Sequence, residues 1–267
     1  MSLTLPAQTL RGVAIDLRRL NYTPTSWQGL LSTHSEAIRL QLEPLLVEMV
    51  REGAHPRLIA LLLDRLADAQ EALQKERNAW SFVWSGPDPL HAKTADTFAT
   101  VDQLISEARC SLLIATYNIG LSGEFRALFA SIADRLANGQ LNRVDLFFHP
   151  KQIEDRLGVD PLATISTWFN REVWPWPAKP HAYVDSRLIT GSAERCYQHA
   201  KIVIADAETP GAKALVTSAN FSETAQRHNY EAGWLTTSVQ RTCEIHKQFS
   251  LLVHQGRFLP LATGASR

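Results

Sequence analysis

Cysteine is scarce: the 267 residues hold only Cys110, Cys196 and Cys243. They are odd in number, widely spaced and free of any CxxC pair, which argues against a disulfide framework and fits a reducing compartment. An excess of charge is also missing, with 27 basic and 27 acidic residues. No bulk positive field is available to gather phosphates, so nucleic-acid binding would have to come from a local cluster. No apolar run approaches the roughly 20 residues of a membrane span. The opening MSLTLPAQTLRGVAIDLRRL has no secretory apolar core. Together these absences predict a soluble, cytoplasmic protein with no membrane span. Internal repeats and low-complexity segments are lacking too.

What is present is an ordinary globular balance, 45% apolar and 20% charged, in a chain long enough to bury a core without staples. Residues 1 to about 85 read as a small helical region. Ile38, Leu42, Leu45, Leu46 and Met49 recur at helical spacing, as do Leu58, Leu62, Leu66, Ala69 and Leu73. Pro56 suits a helix start, whereas Pro44 is expected to kink or split the earlier helix. The cluster Ser85-Gly86-Pro87-Asp88-Pro89 is the candidate boundary.

Beyond it, residues 90 to 267 alternate between strand and helix patterns. Helices are expected over 93–108, 124–138 and 241–254. Strands are expected over 112–117, 143–149, near 183, and over 200–205, 214–218 and 232–236. The fold class is therefore α/β: a mixed β-sheet flanked by helices, preceded by the helical N-terminal region. The stretch WFNREVWPWPAKP is expected to be irregular, either stacking bases or packing the domain. Lys179, Arg187 and Arg195 are candidates for the missing basic cluster.

The chemistry concentrates in QHAKIVIADAETPGAKALVTSANFSETAQRHNYEAGW. His199 and Lys201, two apart on an expected strand, would share a face. Asp206 falls in the following turn, where its carboxylate can bond backbone amides. Ser218 and Asn220 form a second pair two apart, and Glu231 follows at the start of another strand. These residue types suit phosphoryl transfer. An imidazole is a usable nucleophile or proton donor near neutral pH. A fixed ammonium and amide donors stabilise charge that grows on phosphorus.

The pattern HxKxxxxD, followed by SxN and a later glutamate, resembles the signature of the phospholipase D superfamily. The wider frame of residues 90 to 260, including the IATYNI and DLFFHP strands, is similar as well. The resemblance implies that His199 attacks phosphorus to form a phosphohistidine. Lys201 and Asn220 would hold phosphate oxygens with help from Ser218, Glu231 would orient the His199 ring, and Asp206 would be structural. It implies no metal and no other cofactor. Thr217 replaces the family's usual glycine before the serine, and the loop between Asp206 and Ser218 is longer than in the smallest members. Family sites need two motifs. The second HxK, His91-Ala92-Lys93, has Phe98 at the aspartate position and no SxN after it, and is rejected. A single motif implies a homodimer with its active site at the two-fold interface.

A nuclease is the expected activity, because lipid-cleaving members generally carry two motifs in a longer chain. A phospholipase D-type lipid hydrolase and a low-activity nucleic-acid-docking subunit are the alternatives. A helical lead-in followed by one such domain also resembles DrmC, the phospholipase-D-like component of DISARM anti-phage systems. That likeness implies defence-system proteins as partners.

Overall fold

The computed structural model describes residues 5–20, 22, 24, 26–86, 94–121, 123–190 and 197–263, and divides into two compact units, Met1–Asn78 and Ala79–Arg267. The His91-Ala92-Lys93 triplet, Arg195 and Cys196 lie outside the described residues.

The first unit contains α1 (Ala7–Arg19), α2 (Gln28–Leu31), α3 (Glu36–Arg51) and α4 (Pro56–Asn78). Leu10, Val13, Ala14 and Leu17 make the buried stripe of α1, which packs with α4. Arg11 reaches across to Asp68 and Glu71 at 2.8 Å each. One expectation is corrected here, and one helix shows which side it buries. Pro44 sits inside one continuous α3, neither splitting nor ending it. The buried stripe of α4 is Ile59, Ala60, Leu63 and Ala67, while Leu58, Leu62, Leu66 and Leu73 are exposed. Helix α4 carries two interleaved apolar stripes, and the small residues Ala60 and Ala67 let another helix approach closely on theirs. Periodicity alone does not choose between two such faces.

The second unit is a nine-stranded mixed sheet in the order β2-β1-β8-β7-β6-β3-β4-β5-β9. Its strands are β1 (Trp80–Ser85), β2 (Ala95–Asp96), β3 (Ser111–Thr116), β4 (Arg143–Phe148), β5 (His181–Asp185), β6 (Ile202–Ala205), β7 (Lys213–Thr217), β8 (Glu231–Thr236) and β9 (Phe258–Pro260). The helices are α5 (Thr97–Glu107), α6 (Gly123–Ala137), α7 (Pro161–Trp168), α8 (Ser186–Thr190) and α9 (Val239–His254). The expected mixed sheet flanked by helices is therefore present. Strands β3, β4 and β5 run parallel, and β6, β7 and β8 join as antiparallel neighbours. The apolar run of β3 is buried on both faces, as suits a central strand between two helical layers.

One face of the sheet packs Leu112, Ile114, Val144, Leu146 and Val203 into a large core shared with α5, α6 and α7. The other packs Leu113, Phe147, Tyr183 and Ile204 with Phe249 of α9. Strand β1 occupies the end of the stretch expected to be helical and pairs along its whole length with β8. Its tryptophans and phenylalanine are strand formers that cross-strand pairing rewards. The WFNREVWPWPAKP stretch is also more regular than expected: α7 runs to Trp168 and a π-turn spans Phe169–Val173. Trp174 is fully buried, and its Nε1 donates to the Ala178 carbonyl at 2.7 Å. Trp176 packs edge-on against it, so this segment packs the domain.

Candidate active site

Five of the six candidate residues, His199, Lys201, Ser218, Asn220 and Glu231, lie where β6 begins, β7 ends and β8 begins, and Asp206 follows the other end of β6. His199 and Lys201 were expected within a strand, yet β6 starts only at Ile202. They lie in the extended lead-in to it, anchored where Thr217 N donates to the Lys201 carbonyl at 3.0 Å. The His199 ring is exposed, whereas Lys201 is only 6% exposed. Lys201 Nζ lies 2.8 Å from Nδ1 and 3.2 Å from Nε2 of His199, and donates to the His199 carbonyl at 2.8 Å. Burial pushes the Lys201 ammonium below its ordinary range, and the nearby Glu231 carboxylate opposes that.

Ser218 and Glu231 form a second pair. Ser218 Oγ donates to the Glu231 carboxylate and accepts from Ala232 N at 3.1 Å. Asn229 Nδ2 also donates to Glu231, at 3.4 Å. The carboxylate expected to orient His199 is thus directed to Ser218 and Asn229 within this chain. Asn220 faces the end of β3, where its Oδ1 accepts from Asn118 N at 3.2 Å. Thr116 Oγ1 accepts from Phe221 N at 2.9 Å and donates to the Asn118 carbonyl at 2.8 Å, which ties the two segments together.

Thr217 stands where the family pattern has glycine, and its partner across the sheet is Gly233. A Cβ on Gly233 would sit 2.9 Å from Thr217 Cβ and 2.8 Å from the Val216 carbonyl oxygen. A side chain at 217 is accommodated because the neighbouring strand gives up its own. Thr217 Oγ1 then accepts from Ala219 N at 3.1 Å and donates to the Ala232 carbonyl at 3.2 Å.

Asp206 stands apart from the reacting groups. It adopts a left-handed backbone, φ 53°, and is 7% exposed. Its carboxylate accepts from the amides of Arg109 (2.8 and 2.9 Å), Cys110 (2.6 Å) and Ser111 (3.0 Å). It thereby clamps the entry of β3 to the exit of β6.

Of the basic residues expected to cluster, Arg195 lies outside the described residues, and the other two are engaged elsewhere. Arg187 is paired with Asp185, and Lys179 donates to the Trp174 carbonyl at 2.7 Å. Sequence reasoning missed three rings that wall the site. Tyr117 lies 5.0 Å from the His199 ring, His149 stacks on Tyr117 at 5.0 Å, and Tyr197 meets both edge-on. One signal for two of them was available. Tyr117 and His149 each directly follow a strand of the parallel β3–β4 pair, and open α/β sheets place ligands beyond such strand ends. A cavity of about 530 Å³ adjoins His199, lined by Gln198, Ala200, Ile202, Ile245 and Phe249.

No curated protein is detectably similar in sequence. Among solved structures, NucT from Helicobacter pylori is similar at 16% identity and TM-score 0.44, covering 62% of this chain and 91% of that one. Nuc from Salmonella typhimurium, a phospholipase D family member, is similar at 14% identity and TM-score 0.42, covering 68% of this chain and 96% of that one. Phosphatidylserine synthase from Haemophilus influenzae Rd KW20 is similar at 15% identity and TM-score 0.46, covering 82% of this chain and 53% of that one. In sequence, residues 101–253 match the family described as cardiolipin synthase, PLD-like domain. That match takes in more than half of the chain and all six candidate residues, and the chain belongs to the phospholipase D superfamily.

Proposed function

We propose that this protein is a metal-independent phosphodiesterase that works through a phosphohistidine on His199, with a nucleic acid as substrate. The observation that carries the reading is the exposed imidazole of His199 with the buried Lys201 ammonium 2.8 Å from its Nδ1. An imidazole nitrogen attacks phosphorus while the ester P–O bond breaks. The leaving oxygen takes a proton from the partner subunit's His199. Water then attacks the phosphohistidine, gives its proton to that second imidazole and releases the phosphomonoester. Lys201 and Asn220 hold the phosphate oxygens as charge grows on them. Ser218 is held by Glu231 at the edge of the same site. Asp206 keeps the β3–β6 junction rigid. One chain supplies one such histidine, so the reading requires a homodimer whose two-fold axis passes through the cleft. The single-motif chain with a helical lead-in supports a cytoplasmic role in bacterial anti-phage defence, like that of DrmC, beside other defence proteins.

The test incubates labelled DNA, RNA and phosphatidylcholine with wild type and His199→Ala in excess chelator. Cleavage of a nucleic acid by wild type alone, with acid-labile phosphate trapped on the protein, is the expected result. Loss of all activity in chelator would sink the mechanism. Turnover of lipid alone would replace the substrate. Silence on every substrate would favour a docking subunit.

A pH profile adds an independent check. The ammonium form of Lys201 is the one that stabilises phosphate, and its folded pKa lies below the ordinary lysine value. Activity is therefore lost as pH rises through that lowered pKa, so the alkaline limb of kcat/KM comes earlier than for an ordinary lysine. Glu231→Gln removes the charge that opposes the shift and moves the limb to still lower pH. A limb at or above the ordinary lysine range would count against Lys201 as the phosphate-holding cation.

A further inference from the structure

We propose that Tyr117 is a positioning residue for His199, a flat wall held in place by its own stack on the buried ring of His149. The proposal rests on His199 as the reacting group and assigns what keeps its ring in attacking orientation. The carboxylate that would be expected to do so, Glu231, is bonded to Ser218 and Asn229. Lys201 cannot fix the ring alone, because its Nζ is within 3.2 Å of both ring nitrogens. An ammonium with three donors serves either nitrogen, so it favours no single rotation of the imidazole. An exposed histidine with only that partner would sample several rotamers.

Tyr117 supplies the missing restriction. Its ring centroid is 5.0 Å from that of His199 with the planes inclined at 45°, and Lys201 Nζ lies 5.8 Å from the same centroid. One aromatic surface thus touches both groups of the HxK pair, through ring packing and a cation–π contact. Tyr117 is itself immobilised. His149 lies against it almost parallel, at 9° and 5.0 Å, and Tyr197 closes edge-on at 5.9 Å from Tyr117 and 5.0 Å from His149. His149 is 2% exposed and out of reach of substrate. Burial depresses its pKa, and the Glu154 carboxylate, 3.4 Å from its Nε2, opposes that. Both rings directly follow strands of the rigid parallel pair, which fixes the wall to the centre of the sheet.

The test compares Tyr117→Phe, Tyr117→Leu, His149→Phe and His149→Ala in the full chain, using bis(p-nitrophenyl) phosphate and a labelled oligonucleotide. A reacting group displaced by about 1 Å costs up to roughly 100-fold. Tyr117→Leu and His149→Ala are therefore expected to lower kcat by about 10- to 100-fold with KM changed less than about twofold. Tyr117→Phe and His149→Phe, which keep a flat ring, should remain within about threefold of wild type. A second readout needs no turnover. The imidazole Hε1 resonance of His199, assigned by its loss in His199→Asn, should move in Tyr117→Leu and stay in place in Tyr117→Phe. Wild-type kcat in Tyr117→Leu, equal losses in the Phe and Leu variants, or an unmoved resonance would each overturn the proposal. A wild type unable to cleave either ester would instead overturn the phosphodiesterase reading, and the resonances would still decide whether the wall exists.

Discussion

Mixing wild-type and His199→Asn chains by co-expression is expected to lower activity as the square of the wild-type fraction. An equal mixture would retain about one quarter of the activity rather than one half. In the proposed cleft shared across a two-fold axis, one imidazole would take the phosphoryl group while the other protonates the leaving oxygen. A mixed dimer has only one of the two and cannot complete the cycle. The homogeneous His199→Asn protein should lose about 10⁴-fold or more in kcat, because removing the nucleophile removes the covalent route itself. Asparagine keeps polar bulk beside Lys201, so KM for substrate is expected to change little. A linear dependence on the wild-type fraction would mean that each chain works alone. A variant retaining a tenth of wild-type activity would remove His199 from the chemistry.

Asp206→Ala carries the largest expected effect on stability. The carboxylate receives three consecutive backbone amides, of Arg109, Cys110 and Ser111. Alanine leaves those donors without their acceptor in a largely buried place, and it also tolerates the left-handed backbone of residue 206 poorly. Loss of charge-assisted bonds together with that strain is expected to cost about 3 kcal/mol. For a domain of this size the loss corresponds to a Tm lower by on the order of 6–12 °C. Asp206→Asn keeps a carbonyl acceptor and a residue type at home in the left-handed region, so it should lose less than half as much. Calorimetry on the three proteins decides the matter. Equal Tm values for wild type and Asp206→Ala would show that the clamp contributes nothing.

These two residues also show how differently the chain's parts could be read. The spacing from His199 to Asp206 needs only strand and turn periodicity to be noticed, and the short apolar runs named β3, β4, β7 and β8 to within about a residue at most ends. Strand β1 escaped because Trp80–Ser85 follows a long helical pattern without a break, and its pairing with β8 is remote in sequence. Helical spacing of the α4 leucines marks the helix but not its buried side, because its two apolar faces have the same period and only the neighbouring helix selects one.

The sequence by itself determined the mixed α/β architecture, and its likeness to a family signature offered His199, Lys201, Asp206, Ser218, Asn220 and Glu231 as candidates. The architecture is written in local period, and the candidates in short spacings that a family signature makes recognisable. Only the tertiary structure decided that Glu231 bonds Ser218, that Gly233 makes room for Thr217, and that Tyr117 and His149 wall the imidazole. Those relations join residues from 13 to more than 80 positions apart through strand register and ring packing, and contacts of that kind exist only after the sheet has closed around them.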